Sequence, residues 1–240
     1  METLDLTLST PEENLACDEA LLRLRERNAE SGDLLRFWEP QRHFVVLGLS
    51  NAHQRETRFQ HCLARKIPVL RRCSGGGAVL QGPGCLNYAL VLRVEKPGPL
   101  ENIPAANRFI LERHRRALGN LLSHPLKIEG DTDLTLDGLK FSGNCQRRGT
   151  GWLLFHGTLL LRFDLAEMET LLASPSRQPA YRRGRGHAQF LTNLPVSAGQ
   201  VKRALQETWG AHRISAAAPT EEISLLLESR YSRKDWNLRN

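Results

Sequence analysis

The residues best suited to chemistry in this 240-residue chain begin with a glycine-rich stretch, RRCSGGGAV. It places Arg71 and Arg72 just before three consecutive glycines, Gly75, Gly76 and Gly77. Because glycine has no Cβ, it adopts positive φ and lets backbone N–H groups approach an anion or an acyl carbonyl closely. A tight hairpin needs only one or two glycines, so three beside two arginines favour a ligand-binding loop over a purely geometric turn.

Two common phosphate-binding patterns do not match this loop. A Walker A loop carries a lysine and a hydroxyl residue after its last glycine, whereas Gly77 is followed by Ala-Val-Leu. The dinucleotide fingerprint needs another glycine at its sixth position and a helix after it, and here a strand is predicted. The loop is therefore predicted to join two strands and to face an anion or an acyl carbonyl.

A second informative stretch is DGLKFSGNCQRRGTGWLLFHGTLLL, residues 137–161. Lys140 lies between Leu139 and Phe141, and a lysine among apolar neighbours is costly unless it meets an anion. His156 likewise interrupts an apolar run. Taken singly, Lys140 fits an edge-strand charge and His156 a hydrogen-bonded core histidine. Their combination with the glycine loop favours a shared site.

The five cysteines are odd in number and form neither a CxxC pair nor a Cys/His pair with zinc-ligand spacing: Cys17, Cys62, Cys73, Cys85 and Cys145. No protein metal site is predicted, and free thiols in a reducing compartment are expected.

Composition narrows the setting. A net charge of +7 and a pI of about 9.5 favour acidic partners. No apolar run approaches the roughly 20 residues of a membrane span, and the first 15 residues lack a secretion signal, so we expect a cytoplasmic protein without a membrane partner. The stretch 176–190 carries Arg177, Arg182, Arg183 and Arg185 and is predicted as a mobile basic loop. Few aromatics accompany it, so no nucleic-acid partner is predicted.

The chain alternates between predicted helices and strands. Residues 11–30 are predicted to form an amphipathic helix, while 34–39 and 43–49 are predicted to pair as a hairpin. Strands dominate the second half, with Asp137-Gly138 as a hairpin turn. This pattern predicts one α+β domain over residues 1–240, with a mixed, largely antiparallel sheet flanked by helices.

Several motifs together resemble the lipoate-protein ligase A family, within the biotin/lipoyl protein ligase and octanoyltransferase superfamily. They are RRCSGGGAV, Asn87, GLKFSGNCQ around Lys140, and HGTLL at 156–160, and the similarity covers roughly residues 10–195. The resemblance implies a catalytic domain like those of class II aminoacyl-tRNA synthetases and biotin ligases, without the long C-terminal accessory domain of some members.

The resemblance also implies a reaction. A ligase of this kind activates lipoate or octanoate with ATP, accompanied by Mg²⁺, to an acyl-adenylate. It then transfers the acyl group to a lysine of a lipoyl domain of 2-oxoacid dehydrogenases or of the glycine-cleavage H protein. A separate accessory subunit is a possible partner for the adenylation step.

Carried onto this sequence, the resemblance assigns catalysis to Lys140 and His156. The positions implied to bind lipoate or ATP are Arg71, Arg72, Ser74, Gly75, Gly76, Gly77, Ala78, Val79, Asn87, Ser142 and Gly143. The lipoyl tail is apolar, so aliphatic strand faces around Val79, Leu80 and Tyr88 are expected to wall its tunnel.

Departures from the family pattern leave two alternatives open. Gln81 stands where a histidine is usual, and Gly84-Cys85 replaces a Gly-Asn pair. One alternative is an ATP-independent octanoyl or lipoyl transferase that acts through a cysteine thioester. Cys145 and the loop cysteines Cys73 and Cys85 are its candidate nucleophiles, since an adjacent lysine or arginine can lower a thiol pKa. The other is a non-catalytic lipoate-binding protein. Related transferases place their cysteine elsewhere, so the resemblance favours the ligase.

Overall fold

The computed structural model describes residues 1–28, 30–215 and 218–239. The strands are β1 Glu2–Asp5, β2 Leu34–Trp38, β3 Phe44–Leu47, β4 Val69–Arg71, β5 Val79–Gln81, β6 Cys85–Arg93, β7 Leu126–Glu129, β8 Asp133–Leu136, β9 Leu139–Arg148, β10 Trp152–Leu160 and β11 Arg213–Ile214. The helices are α1 Pro11–Arg27, α2 His53–Glu56, α3 Phe59–Ala64, α4 Ile103–Gly119, α5 Ala166–Leu171, α6 His187–Phe190, α7 Ala198–Trp209, α8 Thr220–Leu226 and α9 Lys234–Asn237. A 3₁₀ helix covers Ala180–Arg182, and a π-helical turn, Leu227–Tyr231, continues α8.

Eight strands form one large sheet in the order β11-β1-β2-β6-β10-β9-β8-β7. Strand β1 runs parallel to β2 and β11, and the other neighbours in this sheet are antiparallel. A second sheet has the order β4-β3-β5, with β3 parallel to β4 and antiparallel to β5. The predicted mixed, largely antiparallel sheet flanked by helices is confirmed.

Helices cover both faces of the large sheet. Strand β10 shows the alternation that makes this possible: Leu153 and Phe155 join the core beneath α4 and α7, whereas Leu154 joins the core beneath α1 and α8. Successive strand residues point to opposite faces, so each face presents its own apolar set. None of the helices within the described residues is both long and apolar enough to cross a membrane.

Helix α1 begins with a reciprocal cap. The Thr10 hydroxyl accepts from the Glu13 backbone N–H at 3.2 Å, and the Glu13 carboxylate accepts from the Thr10 N–H at 2.8 Å. Such a capping box stabilises a helix by about 1 kcal/mol. The helix ends at Arg27, close to the predicted end, and Ala29 of the predicted span lies outside the described residues.

The predicted hairpin of 34–39 with 43–49 is wrong. Strand β2 lies between β1 and β6 in the large sheet, whereas β3 lies between β4 and β5 in the small one. Both strands are buried at every position, so each needs strand neighbours and covering elements on all sides. The predicted Asp137-Gly138 turn is confirmed, with φ of 51° and 76°.

The prediction of a mobile basic loop at 176–190 is also wrong. This segment contains the 3₁₀ helix and α6, and Arg182 is only 5% exposed. The guanidinium groups of Arg182 and Arg185 stack on the Phe190 ring, with centroid distances of 4.7 and 5.3 Å. Arg177 and Arg183 remain exposed.

Candidate active site

Two rows of residues cross four adjacent strands of the large sheet. The first row is Arg36 on β2, Ala89 on β6, His156 on β10 and Cys145 on β9. The second row, two residues along each strand, is Trp38, Asn87, Thr158 and Gly143. Because strand side chains repeat with a period of two, both rows share one face of the sheet. Helix α1 covers this face, because Trp38 and Ala89 belong to the same core cluster as the buried residues of α1.

An irregularity in β9 brings Lys140 to the same face. Ser142 pairs with Leu134 on β8, but Lys140 pairs with the next β8 residue, Thr135, so Phe141 is an extra residue in β9. An extra residue reverses the alternation beyond it. Lys140, at an odd spacing from Cys145, therefore joins that residue's face. A Cβ added to Gly143 would meet Lys140 Nζ at 2.8 Å, so the ammonium lies directly over Gly143 and would have to shift if this residue carried a side chain.

Lys140 is held by a carboxylate. Its Nζ lies 2.8 Å from Asp133 Oδ1, and Asp133 Oδ2 accepts a hydrogen bond of 2.7 Å from the Tyr181 hydroxyl. The Lys140 side chain keeps 24% of its surface exposed, against 11% for Asp133. Asp133 thus connects the cationic side chain to the 3₁₀ helix.

The glycine loop curls around Arg72. The Arg72 Nε and Nη2 atoms donate to the Gly75 carbonyl at 3.1 and 2.5 Å, and Nη2 donates to the Gly77 carbonyl at 2.9 Å. Gly76 has a φ of 91°, and a Cβ there would meet Arg72 Nη2 at 2.8 Å. The predicted positive φ is confirmed, and the guanidinium fixes the bend.

Arg71 does not reach the site. Its buried guanidinium donates to five backbone carbonyls, those of Gly48, Leu49, Asn51, Trp236 and Arg239, at 2.5 to 3.1 Å. Burial, together with the charge of Arg239, lowers its pKa to about 10. Arg71 therefore anchors the C-terminal segment to β4.

A cavity of about 430 Å³ collects most of the predicted residues. Those that line it are Arg72, Gly76, Gly77, Ala78, Val79, Asn87, Lys140, Ser142, Gly143, Cys145 and His156, and the expected wall residues Leu80 and Tyr88 do so too. Arg71, Ser74 and Gly75 lie outside this lining. The glycine bend and Lys140, distant in sequence, thus meet in one cavity.

A chain of polar contacts leads from Cys145 into the core. The Ser74 hydroxyl lies 3.1 Å from Cys145 Sγ and 2.6 Å from His156 Nε2. On the other side of the ring, His156 Nδ1 lies 3.3 Å from Asp18 Oδ2. Asp18 Oδ1 in turn accepts from the buried Arg36 guanidinium at 2.5 Å. A thiol, an imidazole and a carboxylate in this order are the parts of a cysteine nucleophile with an oriented base.

The surrounding charges favour ionisation of this thiol. Burial opposes the charged form of Cys145, but the positive charges of Arg72 and His156 and hydrogen bonds from His156 and Ser74 outweigh it and lower its pKa to about 6. Burial likewise opposes the charged form of His156, while Cys145 and Asp18 raise its pKa to about 9. Both shifts favour the thiolate–imidazolium pair over the neutral pair.

The other cysteines lack this activation. All five are free thiols. Burial raises the pKa of Cys17 to about 11 and those of Cys73 and Cys85 to about 12. Of the candidate nucleophiles at Cys73, Cys85 and Cys145, the structure supports only the last.

Gln81 belongs to a polar ring in the cavity wall. Its amide donates to the Thr158 hydroxyl at 2.9 Å, that hydroxyl donates to Asn87 Oδ1 at 2.6 Å, and the Asn87 amide donates back to Gln81 Oε1 at 3.2 Å. The side chain that departs from the family pattern therefore orients Asn87.

Sequence reasoning missed two acidic residues of the site, Asp18 and Asp133. Asp18 lies within the apolar stripe of α1, at 3% exposure, and an acid in such a stripe signals a buried partner. Asp133 gave no comparable signal, since it is an acid at the first residue of a short strand, β8. Among the described residues, His, Cys, Asp and Glu side chains form no group of three or more suited to hold a metal ion.

A lysine, a glycine bend and a thiol–imidazole pair in and around one cavity suit the chemistry of acyl ligases and acyltransferases. The chain belongs to the family of the lipoyl protein ligase A/B catalytic domain, whose model matches residues 10–209. The resemblance inferred from the motifs is thereby confirmed.

Some relatives are named octanoyltransferases and others lipoate-protein ligases. The chain is 26% identical over 262 residues to an octanoyltransferase LipM of Carboxydothermus hydrogenoformans, covering 95% of this chain and 94% of that protein. Its fold is similar to that of a bi-partite lipoate protein ligase of Thermoplasma acidophilum, with a TM-score of 0.83, 23% identity and coverage of 99% and 96%. It is also similar to a lipoate-protein ligase A crystallised with ATP, with a TM-score of 0.82, 23% identity and 99% coverage of both chains.

Proposed function

We propose that the protein attaches a lipoyl or octanoyl group to the ε-amine of a lysine in an acceptor protein. The observation that carries the proposal is the single cavity in which Lys140, the Arg72-bound glycine bend and the Cys145–His156 pair converge. The apolar side chains of Val79 and Leu80 in the same wall suit the hydrocarbon tail of either acyl group.

The ligase route begins with an acyl-adenylate made from lipoate and ATP. The residues present suit such a donor, because Arg72 and Lys140 supply positive charge where negative charge develops on a phosphate and then on a carbonyl oxygen. Lys140 as a compact cation can hold the carboxylate first and the adenylate oxygens afterwards. Mg²⁺ would accompany the ATP phosphates rather than occupy a protein site.

The second candidate is the ATP-independent transferase, and the geometry around Cys145 favours it. The Cys145 thiolate attacks the carbonyl of an acyl thioester, and the donor thiolate leaves with the proton of His156. The acceptor amine then attacks the Cys145 thioester, forms the amide and gives its proton back to His156 as Cys145 leaves. Each step uses contacts already present at Ser74 and Asp18, which hold the imidazole.

One pair of assays separates these routes. Lipoate-dependent exchange of pyrophosphate into ATP is expected only of the ligase, whereas octanoyl transfer from a carrier protein without ATP is expected only of the transferase. A non-catalytic lipoate-binding protein shows neither. Replacement of Lys140 by alanine should abolish either activity, while Cys145→Ser should stop only the thioester route.

The acceptor completes the proposal. A lipoyl domain of a 2-oxoacid dehydrogenase, or the glycine-cleavage H protein, offers a lysine amid acidic surroundings that would suit this basic chain. A separate accessory subunit for adenylation, a single-domain organisation and a cytoplasmic setting belong to the same proposal. The Thermoplasma relative, described as bi-partite and studied with its E2 lipoyl domain, supports the accessory subunit and the lipoyl-domain acceptor.

A further inference from the structure

Arg182 is a buried cation in the cavity wall with unused hydrogen-bond donors. Its side chain is 5% exposed, and its Nε donates to the Arg185 carbonyl at 2.9 Å. The guanidinium plane lies over the Phe190 ring at 4.7 Å. Within residues 1–28, 30–215 and 218–239, neither Nη1 nor Nη2 makes a hydrogen bond, and no carboxylate forms an ion pair with the group.

Two other buried arginines, by contrast, have partners for their guanidinium groups. Arg36 pairs with the Asp18 carboxylate, and the Arg71 guanidinium is surrounded by five carbonyls. A largely buried charge without such partners is costly even where, as at Nη1 and Nη2, its atoms still reach the cavity. Burial lowers the pKa of Arg182, which reflects that cost. An anion at Nη1 and Nη2 would remove it.

Two of the acids that line the cavity already hold other partners, and a third, Asp131, is solvent-exposed. Asp133 is shared by Lys140 and Tyr181, and Glu56 accepts a hydrogen bond from the Ser176 hydroxyl. The same wall contributes three further basic side chains: Lys140, Arg177 and His187. Burial lowers the pKa of His187, so the positive charge around Arg182 comes from Lys140 and Arg177, and neither of the two engaged acids forms an ion pair with Arg182.

We propose that Arg182 binds a phosphate group of the acyl donor through its Nη1 and Nη2 atoms. The fork geometry of these two donors matches two oxygens of a phosphate. Lys140 remains for the acyl carbonyl or carboxylate, so the anion at Arg182 belongs to the rest of the donor. The naming of a donor rests on the proposed function, but phosphate binding itself does not. The phosphate could come from ATP or from the phosphopantetheine arm of an acyl carrier.

Calorimetric binding to the full chain tests this with two matched pairs of probes. One pair is ATP and adenosine; the other is octanoyl-4′-phosphopantetheine and octanoyl-pantetheine, which differ only in the phosphate. We expect the wild-type chain to prefer the phosphorylated member of at least one pair, and that pair identifies the source. Arg182→Met should weaken binding of that member by roughly 10- to 100-fold and leave its unphosphorylated twin unchanged.

Arg183→Gln is the matched control, because it removes one positive charge from the exposed neighbouring residue. It should change either affinity by less than about twofold, as expected for a screened surface charge. The proposal is overturned if the wild-type chain ignores the phosphate in both pairs, or if both variants lose the same affinity. Should Arg182→Met fail to fold, Arg182→Lys decides: it keeps the charge without the fork, and undiminished phosphate preference would then overturn the proposal.

These measurements need neither an acceptor protein nor turnover. A failed acyl-transfer assay would therefore not affect the test of phosphate binding at Arg182. Absence of phosphate binding would likewise not decide whether the protein transfers acyl groups.

Discussion

At the scale of single residues, ionisation of Cys145 depends on charges from three separate elements. Arg72 comes from the glycine loop, His156 from β10, and Asp18, which holds the imidazole, from α1. The thiol lies directly across from His156 in the register of β9 and β10. The lowered pKa of Cys145 is therefore a property of the folded chain.

Alkylation of Cys145 should follow this ionisation. Its folded pKa of about 6 lies below the usual thiol value, so the rate with iodoacetamide should rise through pH 6 and be nearly level by pH 8. His156→Asn removes the imidazolium beside Cys145 and so raises the pKa of the thiol. The alkylation rate at pH 7 should therefore fall roughly tenfold. Peptide mass mapping across a pH series measures both.

The control is Cys145→Ser, which should remain unlabelled at pH 7 because the remaining thiols are buried. A labelling midpoint near pH 9 in the wild-type chain would contradict the account of this residue.

The two adjacent arginines show what sequence can assign at this scale. The resemblance predicts both Arg71 and Arg72 as ligand-binding residues, but only Arg72 lines the cavity and Arg71 points to the C-terminal segment. Consecutive residues at the end of a strand point in opposite directions, and the phase of that alternation depends on strand pairing that the local sequence does not reveal.

At the scale of elements, the extra residue in β9 places Lys140 on the same face of the sheet as Cys145 and His156. Without Phe141 in its irregular position, Lys140 would face the opposite core, beneath α4. The sequence motifs predicted the glycine bend at residues 75–77 and the turn at Asp137-Gly138, since both depend on local conformation. They could not give the bulge or the separation of β2 from β3 into two sheets, because both depend on distant partners.

Asp133 should act as a positioning residue for Lys140. Asp133→Asn removes the charge that holds the ammonium and should lower kcat for acyl transfer by roughly tenfold, with a smaller effect on the acceptor KM. Steady-state kinetics with a lipoyl domain as acceptor measure this split.

A second bridged lysine provides the control. Lys202 pairs with Asp5 at 2.9 Å and with Glu39 at 2.7 Å, away from the cavity, so Asp5→Asn should leave both constants unchanged. Equal losses in the two variants would mean that the Asp133 effect is merely one of stability.

At the scale of the whole molecule, the net charge of +7 should speed encounter with an acidic acceptor. Of the four arginines of the 176–190 segment, Arg177 and Arg183 are exposed for this role, while Arg182 is buried. The association rate should fall at least about threefold in a variant with both exposed arginines changed to glutamine, and should fall as salt rises.

Stopped-flow measurements against salt concentration check this. Arg116→Gln on α4, which packs on the other face of the large sheet, removes a similar charge and should change the rate little. A rate that is independent of salt would count against electrostatic docking.

The most direct test of the account is the mass of a lipoyl domain after incubation with the protein and either lipoate with MgATP or an octanoyl carrier protein. We predict a gain of one lipoyl or octanoyl group on the acceptor lysine, reduced at least about 100-fold by Lys140→Ala and unchanged by Lys202→Ala. No mass gain with either donor, or full activity of Lys140→Ala, would contradict the claim that the Lys140 cavity performs acyl transfer.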